Sequence, residues 1–327
     1  MSERLKQLET WLTSVLDAPI ISLKSASEDA SFRRYFRVVT AQNSYIVMDA
    51  PPLKESVSQF IYIDDVLRGA KVHAPEIIAS NVEHGFLLLE DLGDRTYLYE
   101  LSQSADKLYA DAIDALIKIQ NISLIDEKLN IPPYASSLLK QELDLFEHWY
   151  LKRHLNIVLD HEQTLIWADT QTFLIELCLS QPQVLVHRDY HSRNLMIVDE
   201  NSPAVIDFQD MVVGPIAYDL ASLFKDCYIE WPRAQQHAWL AKYLSLARAA
   251  SPSLNIELHD LIRWVDLTGL QRHLKVLGIF CRLNYRDQKP QYLDDLGLVK
   301  KYVLETVDLY PELDRFATMC KQLLAVE

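Results

Sequence analysis

The sequence predicts an α+β fold of two lobes, a small antiparallel-sheet lobe at the N-terminal end and a large, mainly helical lobe after it. Three observations lead there: strand-like runs crowd residues 20–90, helical periodicity dominates after Gly93, and one island of short apolar runs at 184–208 interrupts the helices. The expected division is residues 1–89, a short connector at 90–94, and residues 95–327, with a cleft where two lobes meet at a hinge.

Each element follows from local pattern. Residues 3–17 carry the apolar spacing of an amphipathic helix, which Pro19 ends. FRRYFRVV and SYIVMDA read as strands joined by the polar turn TAQN, Glu55 to Leu67 is helical in pattern, and GFLLLEDLGD is a buried strand running into a turn. Beyond Gly93, helices are expected near 105–120, 136–155, 162–179, 216–229, 233–248, 256–282 and 296–326, the last with breaks. In the island, VLVHRD, NLMIV and AVIDF are short strands rich in valine and isoleucine, with DENSP as the turn between the last two.

Composition narrows the partners. The chain of 327 residues is 49% hydrophobic and 24% charged, ordinary for a globular protein. Its net charge of −14 argues against nucleic acid or an anionic membrane surface as the main partner. Cys178, Cys227, Cys281 and Cys320 form no CxxC pair and sit in apolar, helical-looking sequence, so buried reduced thiols are expected. The N-terminal stretch mixes acids among its apolar positions and is no signal peptide, and no apolar run approaches the ~20 residues of a membrane span. A cytoplasmic location is the resulting expectation.

The chemistry concentrates in HRDYHSRN at 187–194, which has the form HxDxHxxN. Thirteen residues after Asn194 comes Asp207 in IDFQD, and GPIAYDLA follows. Asp189 follows a buried strand, Asn194 begins the next, and Asp207 ends the one after, so an amide and two carboxylates gather at the mouth of one hairpin. Phosphoryl transfer asks for little more: a carboxylate to orient the attacking hydroxyl, and oxygen ligands to hold Mg²⁺ on the phosphates.

HRDYHSRNLMIV, AVIDFQD and GPIAYDLASLF resemble the catalytic loop, metal aspartate and following helix of the aminoglycoside-phosphotransferase and choline-kinase superfamily, relatives of the protein kinases. That resemblance implies a bilobal protein-kinase-like fold with ATP as donor. It implies Asp189 as the base or orienting carboxylate, Asn194 and Asp207 as Mg²⁺ ligands, and Asp219 as a buried acceptor holding the loop, with His187 a structural partner. His191 either touches the phosphates or packs the loop. LLLEDLG matches the hinge strand, so residues 1–89 become the nucleotide-binding lobe and main-chain groups near Glu90 and Leu92 would hold the base. SEDASFRRYFRV stands where the phosphate-covering loop belongs, which makes Ser31, Phe32, Arg33 and Arg34 candidate nucleotide contacts. More narrowly, ASFRRYFRV, MDAPP, LLLEDLGD, HRDYHSRNLM and QRHLKVLGIFCRL look like the bacterial N-acetylmuramate/N-acetylglucosamine anomeric kinases of cell-wall recycling, over essentially the whole chain.

The pattern departs from its relatives at one strand. Met48 stands where a kinase-type third strand ends in the lysine that meets the α- and β-phosphates, and the covering loop has no glycine. Arg33 and Arg34 are the candidates to replace that charge. Adjacent strand residues point to opposite faces, so one of the two is expected to reach the nucleotide.

The acceptor is expected to be small. Only twelve residues separate Asp207 from Asp219, too few for the segment on which protein kinases dock a peptide. Arg272, Lys275 and Arg282 share one face of the 256–282 helix by spacing, and such a stripe suits the lactyl carboxylate of N-acetylmuramate, unless it is simply a solvated helix face. Asp210 is either an orienting group for a substrate hydroxyl or an ordinary turn residue. Two alternatives remain on the sequence: a kinase of the same superfamily for an aminoglycoside or another hydroxyl compound, and a nucleotide-binding scaffold with weak or no transfer.

Overall fold

The structure is a computed structural model, which describes residues 3–27, 33–125 and 129–324. The chain divides into two compact units, Met1–Thr96 with Leu195–Gln209, and Tyr97–Asn194 with Asp210–Glu327.

The first unit opens with helix α1 (Glu3–Val15), followed by strands β1 (Ser22–Ser27), β2 (Arg34–Val39) and β3 (Ser44–Asp49), helix α2 (Val57–Gly69), and strands β4 (Ile77–Asn81) and β5 (Phe86–Glu90). The five strands form one antiparallel sheet in the order β1-β2-β3-β5-β4. Leu8 and Leu12 of α1 are fully buried against Val38, Val47, Phe86 and Leu88, so the helix packs its apolar stripe on one face of the sheet. Gly85 lies in the β4–β5 connection at φ +70°, and a Cβ there would overlap the carbonyl of Ala50, so only glycine lets β5 start this close to the end of β3. Ser56 caps α2, its hydroxyl accepting from Ser58 N at 3.2 Å.

Helices α3 (Tyr97–Gln120), α4 (Ser136–Leu145) and α5 (His161–Ser180) begin the second unit. α4 runs into a π-helical segment, Phe146–His154, where the sequence led us to expect one α-helix to residue 155. α5 starts at a capping box, in which Asp160 and Gln163 each accept the other's backbone N–H. Strand β6 (Gln183–Val186) comes next, then the two-residue strands β7 (Leu195–Met196) and β8 (Ala204–Val205) of the island hairpin. That hairpin belongs to the first unit, where Val205 N donates to His73 O and Ile197 N to Arg95 O, each at 2.8 Å. Strand β9 (Val212–Pro215) returns to pair with β6, and helices α6 (Ala217–Phe224), α7 (Arg233–Ala250), α8 (Leu258–Tyr285), α9 (Leu296–Val307) and α10 (Asp314–Leu324) complete the chain.

Helix α8 is the axis of the second unit. Every residue from Val265 to Gly278 is buried, polar ones included, so this is no helix with a wet side. Leu267, Leu270, Leu274, Leu277 and Cys281 share one core with Phe146, Tyr150, Trp167, Val299 and Phe316. Gly278 lets α8 approach the end of α4, because a Cβ there would overlap the backbone carbonyl of Leu145. All four cysteines are buried free thiols. Among the described residues no helix is long and apolar enough to cross a membrane.

Candidate active site

The loop 187–194 leaves β6 and is pinned by backbone bonds. Asp219, fully buried near the start of α6, accepts the N–H of His187 at 2.7 Å on one oxygen and that of Arg188 at 3.0 Å on the other. These bonds hold Arg188 at φ +78°, a conformation that costs a non-glycine residue about 1 kcal/mol or more and persists only where its surroundings dictate it. Burial pushes the Asp219 carboxyl up to about 6, with His187 and the two N–H donors opposing. Asp189 N donates to His187 Nδ1 at 3.3 Å, and the Asp189 carbonyl accepts from His191 N at 3.0 Å and from Asn194 Nδ2 at 2.9 Å. Ser192 N donates to the buried Asp226 at 3.0 Å, and the Tyr190 hydroxyl donates to Ala112 O at 2.8 Å. The loop therefore has little freedom, and it presents the Asp189 side chain, 47% exposed, to its surroundings.

Behind that carboxylate lies a buried ionic cluster. Arg272, 2% exposed, approaches Asp189 Oδ1 with its Nη2 at 3.6 Å, while its Nε and Nη1 have no hydrogen-bond partner among the described residues. One helical turn on, Lys275 Nζ lies 3.1 Å from Glu142 on α4 and 3.1 Å from the Tyr218 hydroxyl. Glu142 also accepts from Arg188 Nη2 at 2.5 Å, from Gln271 Nε2 at 3.2 Å and from the Tyr134 hydroxyl. Burial alone would raise the pKa of both carboxyls. For Asp189, the Lys275, Arg272 and Arg188 cations outweigh it and hold the group well below the usual range. For Glu142, Lys275, Arg188 and the Tyr134 bond do the same. His191 is buried, its pKa brought down to about 4 by desolvation against the pull of Asp226, so it is a neutral imidazole whose Nδ1 has no partner among the described residues. It meets the edge of Tyr228 at 5.5 Å, whose ring carries the Arg193 guanidinium 3.5 Å from its centroid.

The expected basic stripe on α8 is thus no solvated face at Arg272 and Lys275. Both cations are buried and already engaged with the protein's own carboxylates. Arg282 is half-buried in the last turn, about 15 Å further along the axis. His273 is buried with its pKa brought down to about 3 by desolvation, and its Nε2 donates to Lys225 O at 2.8 Å. Asp210 is exposed in a turn, its carbonyl 3.5 Å from Arg188 Nη1.

In the first unit, Asp207 sits at φ +64°, and its Oδ1 accepts from Gln209 Nε2 at 2.8 Å. Its neighbour Phe208 is fully buried and packs on Phe60 of α2, ring centroids 4.6 Å apart. Arg33, 9% exposed, pairs with Glu55 at 2.8 Å. Arg34, 46% exposed, pairs with Asp49, its cross-strand neighbour; Asp49 is fully buried and also accepts from Arg4 Nε at 2.6 Å. Met48 is fully buried beside it. Glu90 accepts from Glu76 N at 3.1 Å and lies 3.3 Å from His73 Nε2. Leu92 is half-buried in the turn where Asp91 holds Arg37 and accepts from Gly93 N. Ser31 and Phe32 lie outside the described residues.

A sequence profile described as "Phosphotransferase enzyme family" matches residues 22–254, well over half of the chain. The chain belongs to this family. A curated Pseudomonas putida protein named N-acetylmuramate/N-acetylglucosamine kinase is 44% identical over 98% of this chain and 97% of its own length. A Neisseria meningitidis protein of the same name is 35% identical over 99% and 97%. Among solved structures, a choline kinase from Streptococcus pneumoniae matches with a TM-score of 0.63 at 14% identity, over 93% of this chain and 100% of that one. An ADP-bound aminoglycoside phosphotransferase matches with a TM-score of 0.60 at 15% identity, over 93% and 98%. The fold is the bilobal, kinase-like one of these enzymes.

Asn194 and Asp207 each offer an oxygen donor of a kind suited to the Mg²⁺ that phosphotransferases use. An amide oxygen and a carboxylate are hard ligands of the kind Mg²⁺ takes, and the bond from Asn194 Nδ2 to Asp189 O orients the amide. Sequence reasoning missed Glu142, Tyr134 and Tyr218. Glu142 did leave a signal: with Leu139, Leu143 and Phe146 it falls on the apolar stripe of its helix, where a lone acid calls for a partner.

Proposed function

We propose that the chain transfers the γ-phosphoryl group of ATP to the anomeric hydroxyl of N-acetylmuramate or N-acetylglucosamine, in the cytoplasm, with Mg²⁺. The observation that carries the acceptor is the 44% identity, over almost the full length, to a protein named for those two sugars. Asp189 orients the acceptor hydroxyl and takes its proton. Because Arg272 and its neighbours keep this carboxylate weakly basic, the proton moves late, after the new P–O bond has largely formed, which suits a loose transition state. The resemblance assigns Mg²⁺ to Asn194 and Asp207, and bound there it supplies charge neutralisation for the phosphates. Neutral His191 packs the loop and offers an uncharged hydrogen-bonding group beside Asp189.

On the nucleotide side, main-chain groups near Glu90 and Leu92 hold the base, with 90–94 as the hinge. Arg34 takes the place of the missing strand lysine. It is the more exposed of the two arginines, and when it leaves Asp49 that carboxylate keeps Arg4, whereas Arg33 is buried on Glu55. The remaining work is positioning and electrostatics.

An acceptor screen tests the proposal. ADP release is measured with N-acetylmuramate, N-acetylglucosamine, choline and an aminoglycoside, and the product is located by ³¹P and ¹³C spectroscopy. Phosphate on C1 of an N-acetyl sugar is the expected result. Turnover only with choline or the antibiotic, or nucleotide binding without turnover, would overturn it.

A further inference from the structure

Three cations crowd the side of Asp189 within the second unit, yet only one of them reaches it. Arg272 stands 3.6 Å away, while Lys275 and Arg188 both turn to Glu142, at 3.1 and 2.5 Å. Glu142 is buried, comes from a different helix, and is held by Tyr134 and Gln271 as well. Asp189 is a second carboxylate that acts on Lys275. An ammonium on four methylenes is mobile and seeks whichever anion is available. Were Glu142 neutral, Lys275 would be a buried cation with only uncharged oxygens to hold, at position 142 and on Tyr218, and the Asp189 carboxylate would draw it as an anion. The oxygen needed by the acceptor hydroxyl would then be occupied.

We infer that Glu142 is a positioning residue for phosphoryl transfer: it draws Lys275 and Arg188 aside and keeps the Asp189 carboxylate open to the acceptor hydroxyl. The inference rests on the reading of Asp189 given above. Glu142 touches no substrate itself. It differs from an ordinary buried ion pair in what its loss releases, since the damage comes from a freed cation rather than from a lost contact alone.

The distinction can be measured in the full chain with ATP, Mg²⁺ and N-acetylglucosamine. Glu142→Gln is expected to lower kcat about 30-fold or more with the KM for ATP within about threefold of wild type, because nothing in the first unit changes. Glu142→Gln combined with Lys275→Met, which removes the freed cation, is expected to regain at least about fivefold of that kcat. A merely structural Glu142 would also regain stability in the double variant, since the unpaired buried cation is gone, so kcat is compared at a temperature at which melts show both variants fully folded; a kcat loss that vanishes there overturns the inference. Wild-type kcat in Glu142→Gln, or no recovery in the double variant, overturns the inference. Should Glu142→Gln not fold, Tyr218→Phe loosens Lys275 without removing a charge and is expected to lower kcat about three- to tenfold; an unchanged kcat there counts equally against it. Asp189→Asn is assayed in parallel. If it stays active, the reading of Asp189 itself fails; if it is dead while Glu142→Gln is indifferent, only the present inference does.

Discussion

Asp64 on α2 offers a sharp test of the energetics. The residue is 2% exposed, and its Oδ1 has no hydrogen-bond partner among the described residues. Burial pushes its carboxyl up to about 7, with Asp65 and Glu76 adding to the effect and Arg68 opposing it. An unfolded chain would titrate this group near the ordinary aspartate value of about 3.9, so the protein binds a proton on folding between about pH 4 and pH 7. The folded value is the higher one. Its favourable contribution is therefore complete below pH 4 and is lost as pH rises through 7. The gap of about three pH units is worth about 4 kcal/mol at 1.36 kcal/mol per unit. Asp64→Asn removes the ionisation but leaves a buried amide with donors to satisfy, at about 1–2 kcal/mol. The variant should thus be more stable than wild type by about 2–3 kcal/mol at pH 8 and slightly less stable at pH 4. Thermal melts of both proteins at the two pH values measure this, since every other titrating group cancels in the difference. A wild-type-minus-variant gap that is the same at both pH values would refute the reasoning.

Three further outcomes follow from the geometry. Arg34→Ala should raise the KM for ATP about tenfold or more with a smaller change in kcat, while Arg33→Ala should act mainly on the melting temperature; steady-state kinetics with ATP varied separates them. Arg272→Ala should lower kcat/KM for N-acetylmuramate and N-acetylglucosamine alike, because its guanidinium lies against Asp189; a loss confined to the carboxylate-bearing sugar would return Arg272 to acceptor recognition. Gly278→Ala should cost about 3 kcal/mol or more in denaturant unfolding, since its methyl group has only the Leu145 backbone to displace.

The sheet was legible where it is buried. The central strands β2, β3 and β5 announce themselves as apolar runs, whereas the two edges do not: β1 reads SLKSAS and β4 IIASN, polar or short, as edge strands tend to be. α8 was expected at 256–282 and spans Leu258–Tyr285, because a long apolar period survives in sequence. Its environment did not. Spacing placed Arg272 and Lys275 on one face but cannot distinguish a charge in water from one buried against a carboxylate far away in the sequence. The π-helical segment, which packs on α8, also left no trace in the local pattern. The loop at 187–194, by contrast, stands out in the sequence, because the residues of its pattern are fixed by short chain separations, whereas its electrostatic surroundings come from elements far along the chain.

The sharing of Asp49 between Arg4 and Arg34 gives the N-terminal helix a reach beyond packing. With Arg4 present, the carboxylate has a partner to spare, and Arg34 can be released at little cost. Without α1, the same buried anion would hold Arg34 as its last counterion. If Arg34 meets the nucleotide as proposed, helix α1 would in that way govern how tightly the enzyme grips its phosphoryl donor, through a residue that is not on the sheet at all.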